Sequence, residues 1–335
     1  MIYKLIIIFI TFLISVSDAG DLVQCDQLGV MKLKSPLVVS LYSEVCGDPA
    51  ILQDNKLNRI YFTTPNIKRL QGAIGEATSE DLKNWKQIGV VLNGNVGRWN
   101  EQLETPYCIK PYKKYYLFYC GYPKIGWPVN PGQIGCAVSD DGTKFQHRWK
   151  PALTPTPNWY DANGLYSPIV VKVGTEYLMI YCGHCYESNL VTPGIYLLSA
   201  KSKDIAHWTK NQSPVLSPDF TVNWMMHGVS EPAIVKVSDG LWYLFFTANL
   251  GDEQNRCIAV ARSKDPLGPY NICKQPILYG TPGWFDEQGV LAPHVIISGK
   301  KLKIWYLTSN FGETEKHSIG YAEMAWPLPV GTFNN

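Results

Sequence analysis

The stretch "CGDPAIL" at residues 46–52 returns at residues 229–235 as "VSEPAIV". Each copy sets an acidic residue, Asp48 or Glu231, directly before Pro and then runs into Ala and larger apolar residues. Residues 165–171, "LYSPIVV", keep the frame but carry Ser167 where the acid stands elsewhere. Two further copies, "LETPYCI" at 103–109 and "VLAPHVI" at 290–296, bring the set to five. Their prolines, Pro49, Pro106, Pro168, Pro232 and Pro293, are spaced 57, 62, 64 and 61 residues apart. A fixed period of this size marks a repeat architecture.

The surroundings of the phrase repeat too. An aromatic run follows each copy: "NRIYFTT", "YYLFYCG", "EYLMIYCG", "LWYLFFTAN" and "LKIWYLTSN". A small-residue run with a polar tail comes next, as in "GAIGEATSEDLKNW" and "CIAVARSKDPLGPY". Upstream of four copies stands a Trp: Trp99, Trp159, Trp224 and Trp284. The runs are short, β-branched or aromatic, and bounded by Gly, Asn and Asp, which is the signature of strands. Four strands in each of five units predict an all-β five-bladed β-propeller with blades starting near residues 46, 103, 165, 229 and 290. These blades are expected to form one domain over residues 20–335.

Composition agrees with a packed, β-rich or sugar-handling protein. Of 335 residues 46% are hydrophobic and 17% charged, enough for a core, and 20 Tyr and 11 Trp suit a β-rich fold. A net charge of +2 without basic blocks gives no electrostatic reason for a nucleic-acid or membrane partner. The N-terminus differs: Lys4 precedes "LIIIFITFLIS", and Ser17 and Ala19 supply a small-x-small cleavage site. This layout predicts a signal peptide at residues 1–19 and a secreted mature chain. Export permits disulfides, and among nine Cys the pairs Cys120/Cys136 and Cys257/Cys273 each flank an expected hairpin. "YCGHC" at 181–185 follows a strand rather than opening a helix, so inert thiols or a small disulfide are expected there instead of redox chemistry or zinc ligation by Cys182, His184 and Cys185.

In a propeller the first strand of every blade lines the central channel. Asp48, Glu104, Ser167, Glu231 and the "APH" of His294 therefore become neighbours around one pocket. Two carboxylates facing each other suit glycoside hydrolysis, one as base toward a water and the other as proton donor to the leaving oxygen.

The phrases "GDPAIL", "IGEATSEDLKNW", "SEPAIV" and "ARSKDPLGPY" resemble the five-bladed propeller glycosidases of the arabinanase, levansucrase and invertase superfamily, and most of all glycoside hydrolase family 43. The resemblance covers residues 40–325. It implies a base at Asp48 and a general acid at Glu231. It also implies a third acid before the Pro of the blade between them, where this chain has Ser167. A hydroxyl cannot raise a neighbouring acid's pKa by repulsion. Glu104 and Asp161 are the acids that could stand in, although Asp161 in "WYDANG" shares its register with Asp286 in "WFDEQG", which argues for a common structural task. The invertase phrase "NDPNG" is replaced by "GDPAI", which disfavours a fructosidase.

Around these acids Tyr166 and Trp127 break the repeat and are expected to be sugar platforms, whereas the four repeated Trp are expected to pack blades. His227 is a candidate sugar contact at the rim, and His294 is expected to face the channel, where a Ca²⁺ is an option. The leading expectation is a secreted glycosidase acting by inversion on a poly- or oligosaccharide, such as a cell-wall glycan with pentose or galactose units. The alternatives are a non-catalytic carbohydrate-binding propeller marked by Ser167, or a phosphorylase or transferase needing an Arg/Lys clamp for which Arg98, Arg256 and Arg262 are available.

Overall fold

The computed structural model describes residues 21–333 apart from 27–28, 38–45, 56, 67–70, 125–130, 187, 189, 250–255 and 309–316. The expected signal peptide and Trp127 lie outside the described residues.

The described residues form five antiparallel sheets and no helix. Blade I comprises Gly47–Asp54, Leu57–Asn66, Gln71–Ser79 and Lys86–Asn93 in that order from axis to rim. Blade II is Gln102–Ile109, Tyr115–Tyr122, Gln133–Ser139 and Gln146–His147. Blade III is Gly164–Val173, Glu176–Cys185, Gly194–Ser202 and Thr209–Lys210, and blade IV is Val229–Lys236, Trp242–Asn249, Arg256–Ser263 and Asn271–Ile272. Blade V takes Val290–Ser298, Lys301–Thr308 and Ser318–Ala325 from the end of the chain. Its outer strand is Met31–Leu33 from the beginning, with Leu22–Gln24 beyond it. The register Met31↔Glu323 and Lys32↔Ala322 thus closes the ring, and it fills the place for which the last repeat carries no strand of its own.

Each inner strand touches the next, and that of blade V touches that of blade I, so the five sheets form the propeller that the repeat predicts. Apolar side chains fill the wedges between blades. Phe118 of blade II packs with Leu165, Met179 and Tyr181 of blade III, and Ile60 and Phe62 of blade I pack with Trp305, Ile319 and Tyr321 of blade V. Each such burial contributes about 1.5–3 kcal/mol, which favours closure over separate sheets. The small residues of the third strands make room for second-strand rings. A Cβ on Gly75, Gly135 or Gly320 would come 2.5, 2.3 or 2.4 Å from Phe62, Tyr119 or Tyr306. The polar tails are turns: the Oγ atoms of Ser79, Ser139, Ser202 and Ser263 accept the N–H of Asp81, Asp141, Asp204 and Asp265 at 3.1–3.3 Å.

The repeated Trp residues are half-buried packing elements. Trp99 stacks on Tyr119 with ring centroids 6.3 Å apart, and Trp159 meets Tyr160 edge-on at 4.9 Å. Trp224 packs on the core shared by blades III to V, and Trp284 lies under the Lys34 ammonium.

The disulfide expectation is corrected, since all nine cysteines are free. Cys120 stands opposite Ile134 and Cys136 opposite Phe118, so the two are diagonal neighbours. Such positions are about 7–8 Å apart, too far for a bridge that needs Cβ atoms about 3.5–4.5 Å apart. Cys273 donates its N–H to the carbonyl of Val260, three residues from Cys257 and on the other side of that strand. Cys182 and Cys185 lie within one strand, Glu176–Cys185, and point to opposite faces for the same reason.

Candidate active site

All five inner strands bulge at the same place. The ladder to the second strand shifts between Gly47 and Ala50, Glu104 and Tyr107, Tyr166 and Ile169, Ser230 and Ala233, and Leu291 and His294. At each bulge the residue before Pro is left-handed, with φ of 52° at Asp48, 51° at Thr105, 48° at Ser167, 50° at Glu231 and 48° at Ala292. Non-glycine residues avoid this region, and a β-branched one such as Thr105 avoids it most. Five in register show that the bulge is built in, and it swings each side chain out of the ladder toward the axis. Thr105 and Ala292 complete this ring, and Glu104 stands one residue before it, two before Pro106.

The ring opens into a cavity of about 440 Å³ lined by Asp48, Glu104, Thr105, Tyr166, Ser167 and Glu231, with His184, Arg256 and His317 from other strands and loops. Below the prolines it narrows to an axial channel of about 40 Å³. Asp48, Glu104, Ser167, Glu231 and Tyr166 thus come together. Neighbouring blades cross-brace the ring. Thr63 donates its hydroxyl to Asp48 Oδ2 at 2.6 Å and accepts the Thr105 N–H at 2.9 Å. Thr105 Oγ1 accepts the Ser167 N–H at 3.1 Å, and Glu231 Oε2 accepts the Ala292 N–H at 3.0 Å.

Burial first, and then the charge of Glu231, push the Asp48 carboxyl up to about 7 despite the Thr63 hydrogen bond that opposes them. Burial also raises Glu104, whose Oε1 accepts the Tyr122 hydroxyl. Glu104 adds to the negative field at Asp48, so the third acid of the pocket stands beside Asp48 rather than in the slot of Ser167.

The wall opposite is aromatic and cationic. Tyr166 and His184 pack with ring centroids 4.5 Å apart, and His184 Nδ1 is hydrogen-bonded to the Tyr186 hydroxyl at 2.7 Å. Burial and the nearby Arg256 charge push His184 down to about 4, so it is a neutral imidazole at ordinary pH. Room for Tyr166 depends on Gly132, where a Cβ would sit 2.8 Å from its ring. The "CGHC" motif thus contributes its His to the pocket, a role hidden by attention to its thiols. Arg256 opens the third strand of blade IV where the corresponding strands of the other blades begin with Gln71, Gln133, Gly194 and Ser318, and this lone cation was the legible signal for it.

Two expected site residues, Asp161 and His227, lie elsewhere. Asp161 is fully buried and accepts from the Thr156 N–H at 2.9 Å, the Tyr181 hydroxyl at 3.2 Å and the Lys210 ammonium. Asp286 does the same in blade V with the Thr281 N–H, Tyr306 and Lys32. Asp161 thus pins a turn, away from the cavity lining. His227 is exposed on the loop before blade IV, outside the cavity lining. His294 does face the channel, below the prolines, where its Nδ1 accepts the Ile51 N–H at 3.4 Å and burial pushes it down to about 4. On one side it meets Ile51, Gln53, Tyr107 and Ala233, and on the other the channel lined by Asp48, Thr105, Ser167 and Glu231. Among the described residues no group of three or more His, Cys, Asp or Glu could hold a metal ion.

A five-bladed propeller with carboxylates from blades I, II and IV around one axial cavity has the architecture of the propeller glycoside hydrolases. The sequence profile of the glycosyl hydrolases family 32 N-terminal domain matches residues 107–275, half of the chain, and the protein belongs to that family. The match begins beyond "GDPAI", so the departure from the invertase phrase stands outside it. An extracellular endo-α-(1→5)-L-arabinanase of Thermotoga petrophila is 26% identical over 137 residues, covering 36% of this chain and 26% of the relative. The chain thus spans about a quarter of that relative's length. A thermostable family-43 glycoside hydrolase superposes with a TM-score of 0.68 at 18% identity, over 88% of this chain and 95% of the other. A β-1,2-mannobiose phosphorylase from Listeria innocua gives 0.68 at 11%, over 88% and 96%. Both likenesses are of fold.

Proposed function

We propose that this protein is a secreted glycoside hydrolase in which Asp48 is the general base and Glu231 the general acid of an inverting reaction. The observation that carries this reading is the Asp48–Glu231 pair on one cavity, with Asp48 pushed up to about 7, where a base works best near neutral pH. Asp48 takes a proton from a water whose oxygen attacks the anomeric carbon. The glycosidic bond breaks as Glu231 gives its proton to the leaving oxygen. Thr63 orients Asp48 through Oδ2, and burial and then Glu231, with a smaller contribution from Glu104, hold its carboxyl high. Tyr166 and His184 offer an aromatic wall for the sugar's C–H face.

The arabinanase relative supports a pentose-containing glycan as substrate, and its extracellular location supports export through the apolar N-terminal segment. Phosphorolysis finds less support. Of the three arginines available for a phosphate clamp, Arg256 alone lines the cavity, Arg98 stands at the rim, and Arg262 lies over Phe333.

The test is reducing-sugar release from arabinan, galactan, xylan and storage glycans by the wild type, Asp48→Asn and Glu231→Gln. Release lost in both variants supports the reading. Silence of the wild type across the panel, with a glycan still bound in calorimetry, makes it a sugar-binding propeller instead.

A further inference from the structure

A second cavity, of about 250 Å³, lies away from the axis and is lined by Asn95, Val96, Arg98, Trp99, Arg148 and Trp149, among others. Trp149 is 87% exposed and Val96 71%, so both present apolar surface to a ligand in the cavity. Trp99 adds a second, half-buried indole.

The site is rigid. Its loop folds back on itself through the Arg98 N–H to the Asn95 carbonyl at 3.0 Å, the Asn95 N–H to the Asn100 carbonyl at 3.0 Å and the Gly97 N–H to Glu101 Oε2 at 2.9 Å. Trp99 is held against Tyr119, and the Arg148 guanidinium lies over the Tyr116 ring at 5.7 Å. His147 ties this corner to blade I through the Asn93 carbonyl at 2.7 Å. The loop backbone, Trp99 and Arg148 are thus held in place before any ligand arrives, which favours affinity.

The lining chemistry selects the ligand. Two guanidinium groups and no carboxylate face the cavity, so it offers hydrogen-bond donors and positive charge. Two indoles offer flat apolar faces. A sugar ring presents a C–H face to an indole, and a carboxylate or sulfate on that ring meets an Arg fork. The axial cavity, with three carboxylates, has the opposite charge preference.

The two cavities share one face of the propeller. The inner strand Gln102–Ile109 begins at the axial pocket, and the loop carrying Trp99 leads into it. The outer strand Gln146–His147 runs back toward that same end before Trp149. Five residues separate Trp99 from Glu104, so their Cα atoms are at most about 18 Å apart.

We propose that the Trp99–Trp149 corner is a binding site for an anionic sugar of a glycan chain, a uronic acid or a sulfated sugar, next to the axial cavity. The inference does not depend on hydrolysis at that cavity.

Affinity electrophoresis of the full chain in gels containing polygalacturonate, dextran sulfate or neutral dextran tests it. The expected result is retardation by one or both charged polymers, weakening as salt rises, and none by dextran. Which polymer retards identifies the carboxylate or the sulfate. Trp149→Ala and Arg98→Ala/Arg148→Ala weaken it about tenfold. Asp48→Asn leaves it intact, which separates this site from the hydrolytic one. Because Trp149 is exposed, its removal should leave the melting temperature unchanged. No retardation by either charged polymer, or retardation undiminished in Trp149→Ala, overturns the proposal.

Discussion

The ammonium of Lys32 stands 2.7 Å from Asp286 Oδ2, with both side chains almost wholly shielded from water and 254 residues between them in sequence. Lys32 also donates to the Thr281 hydroxyl at 2.8 Å and to the Tyr279 carbonyl at 2.5 Å. Blade III repeats the arrangement with Lys210 and Asp161, and blade II substitutes the neutral set Asn100, Tyr119 and His147. The ion pair of blade V differs in joining the two ends of the chain, so it acts as a latch on the ring.

Removing half of the latch leaves a buried, unpaired carboxylate. Lys32→Met is expected to lower unfolding free energy by about 3–5 kcal/mol, and Lys32→Met/Asp286→Asn to recover part of that loss. Urea titrations of the three proteins measure both. A loss below about 1 kcal/mol in the single variant would mean that the outer strand contributes little to closure.

The electrostatics of Asp48 set a pH dependence. As a base it must be ionised, and its carboxyl is pushed up to about 7, so kcat/KM should climb as pH rises through that value. The same shift has a stability sign. A carboxyl raised in the folded state binds more protons there than when unfolded, so stability falls as pH rises from about 4 toward 7. Asp48→Asn should therefore melt higher than wild type above about pH 7 and gain less near pH 4. Activity that falls through that range in the wild type would give Asp48 the proton-donor role.

Glu231→Gln should cost about 10²–10⁴ in kcat on substrates with poor leaving groups. The loss should be smaller on an aryl glycoside whose phenol leaves without a proton. An equal loss on both would mean that Glu231 serves some other step.

Ser167→Asp restores the carboxylate that the superfamily resemblance implies. Asp accepts the left-handed backbone of this slot at least as well as Ser does. The added charge beside Glu231 should favour its protonated, donating form and raise kcat on substrates with poor leaving groups by about tenfold. An unchanged kcat would show that the slot does not communicate with the proton donor.

The thiols offer a direct check on covalent structure. In the native protein Cys25 alone is more than slightly exposed, and the other eight are buried. A thiol reagent should label Cys25 first and all nine only after unfolding without reductant. Fewer than nine in the unfolded protein would reveal a disulfide.

The repeat made most of this architecture legible because the inner-strand phrase combines a Pro, which fixes backbone shape, with a side chain that varies. Asp48 and Glu231 could be read because they stand at the same step of that phrase. Glu104 could be placed in the pocket although it stands two before its Pro, but the bulge that lets both it and Thr105 line the cavity carries no mark in the sequence. His184 and Arg256 belong to second and third strands, whose repeat is one of hydrophobicity, so single polar residues there look like noise until the blades are assembled. The closing strand was invisible for another reason: its partner is Ser318–Ala325, at the opposite end of the chain, and Met31–Leu33 is too short to show an alternation.

The five positions before Pro hold Asp, Thr, Ser, Glu and Ala, yet their φ angles differ by only a few degrees. Backbone shape at these seats is thus independent of the side chain that occupies them. A carboxylate can be exchanged there for a hydroxyl or a methyl without disturbing the wedges that hold the blades together. The architecture works as a socket with interchangeable pins: the wedges hold the scaffold, and the five seats set the chemistry that the cavity presents.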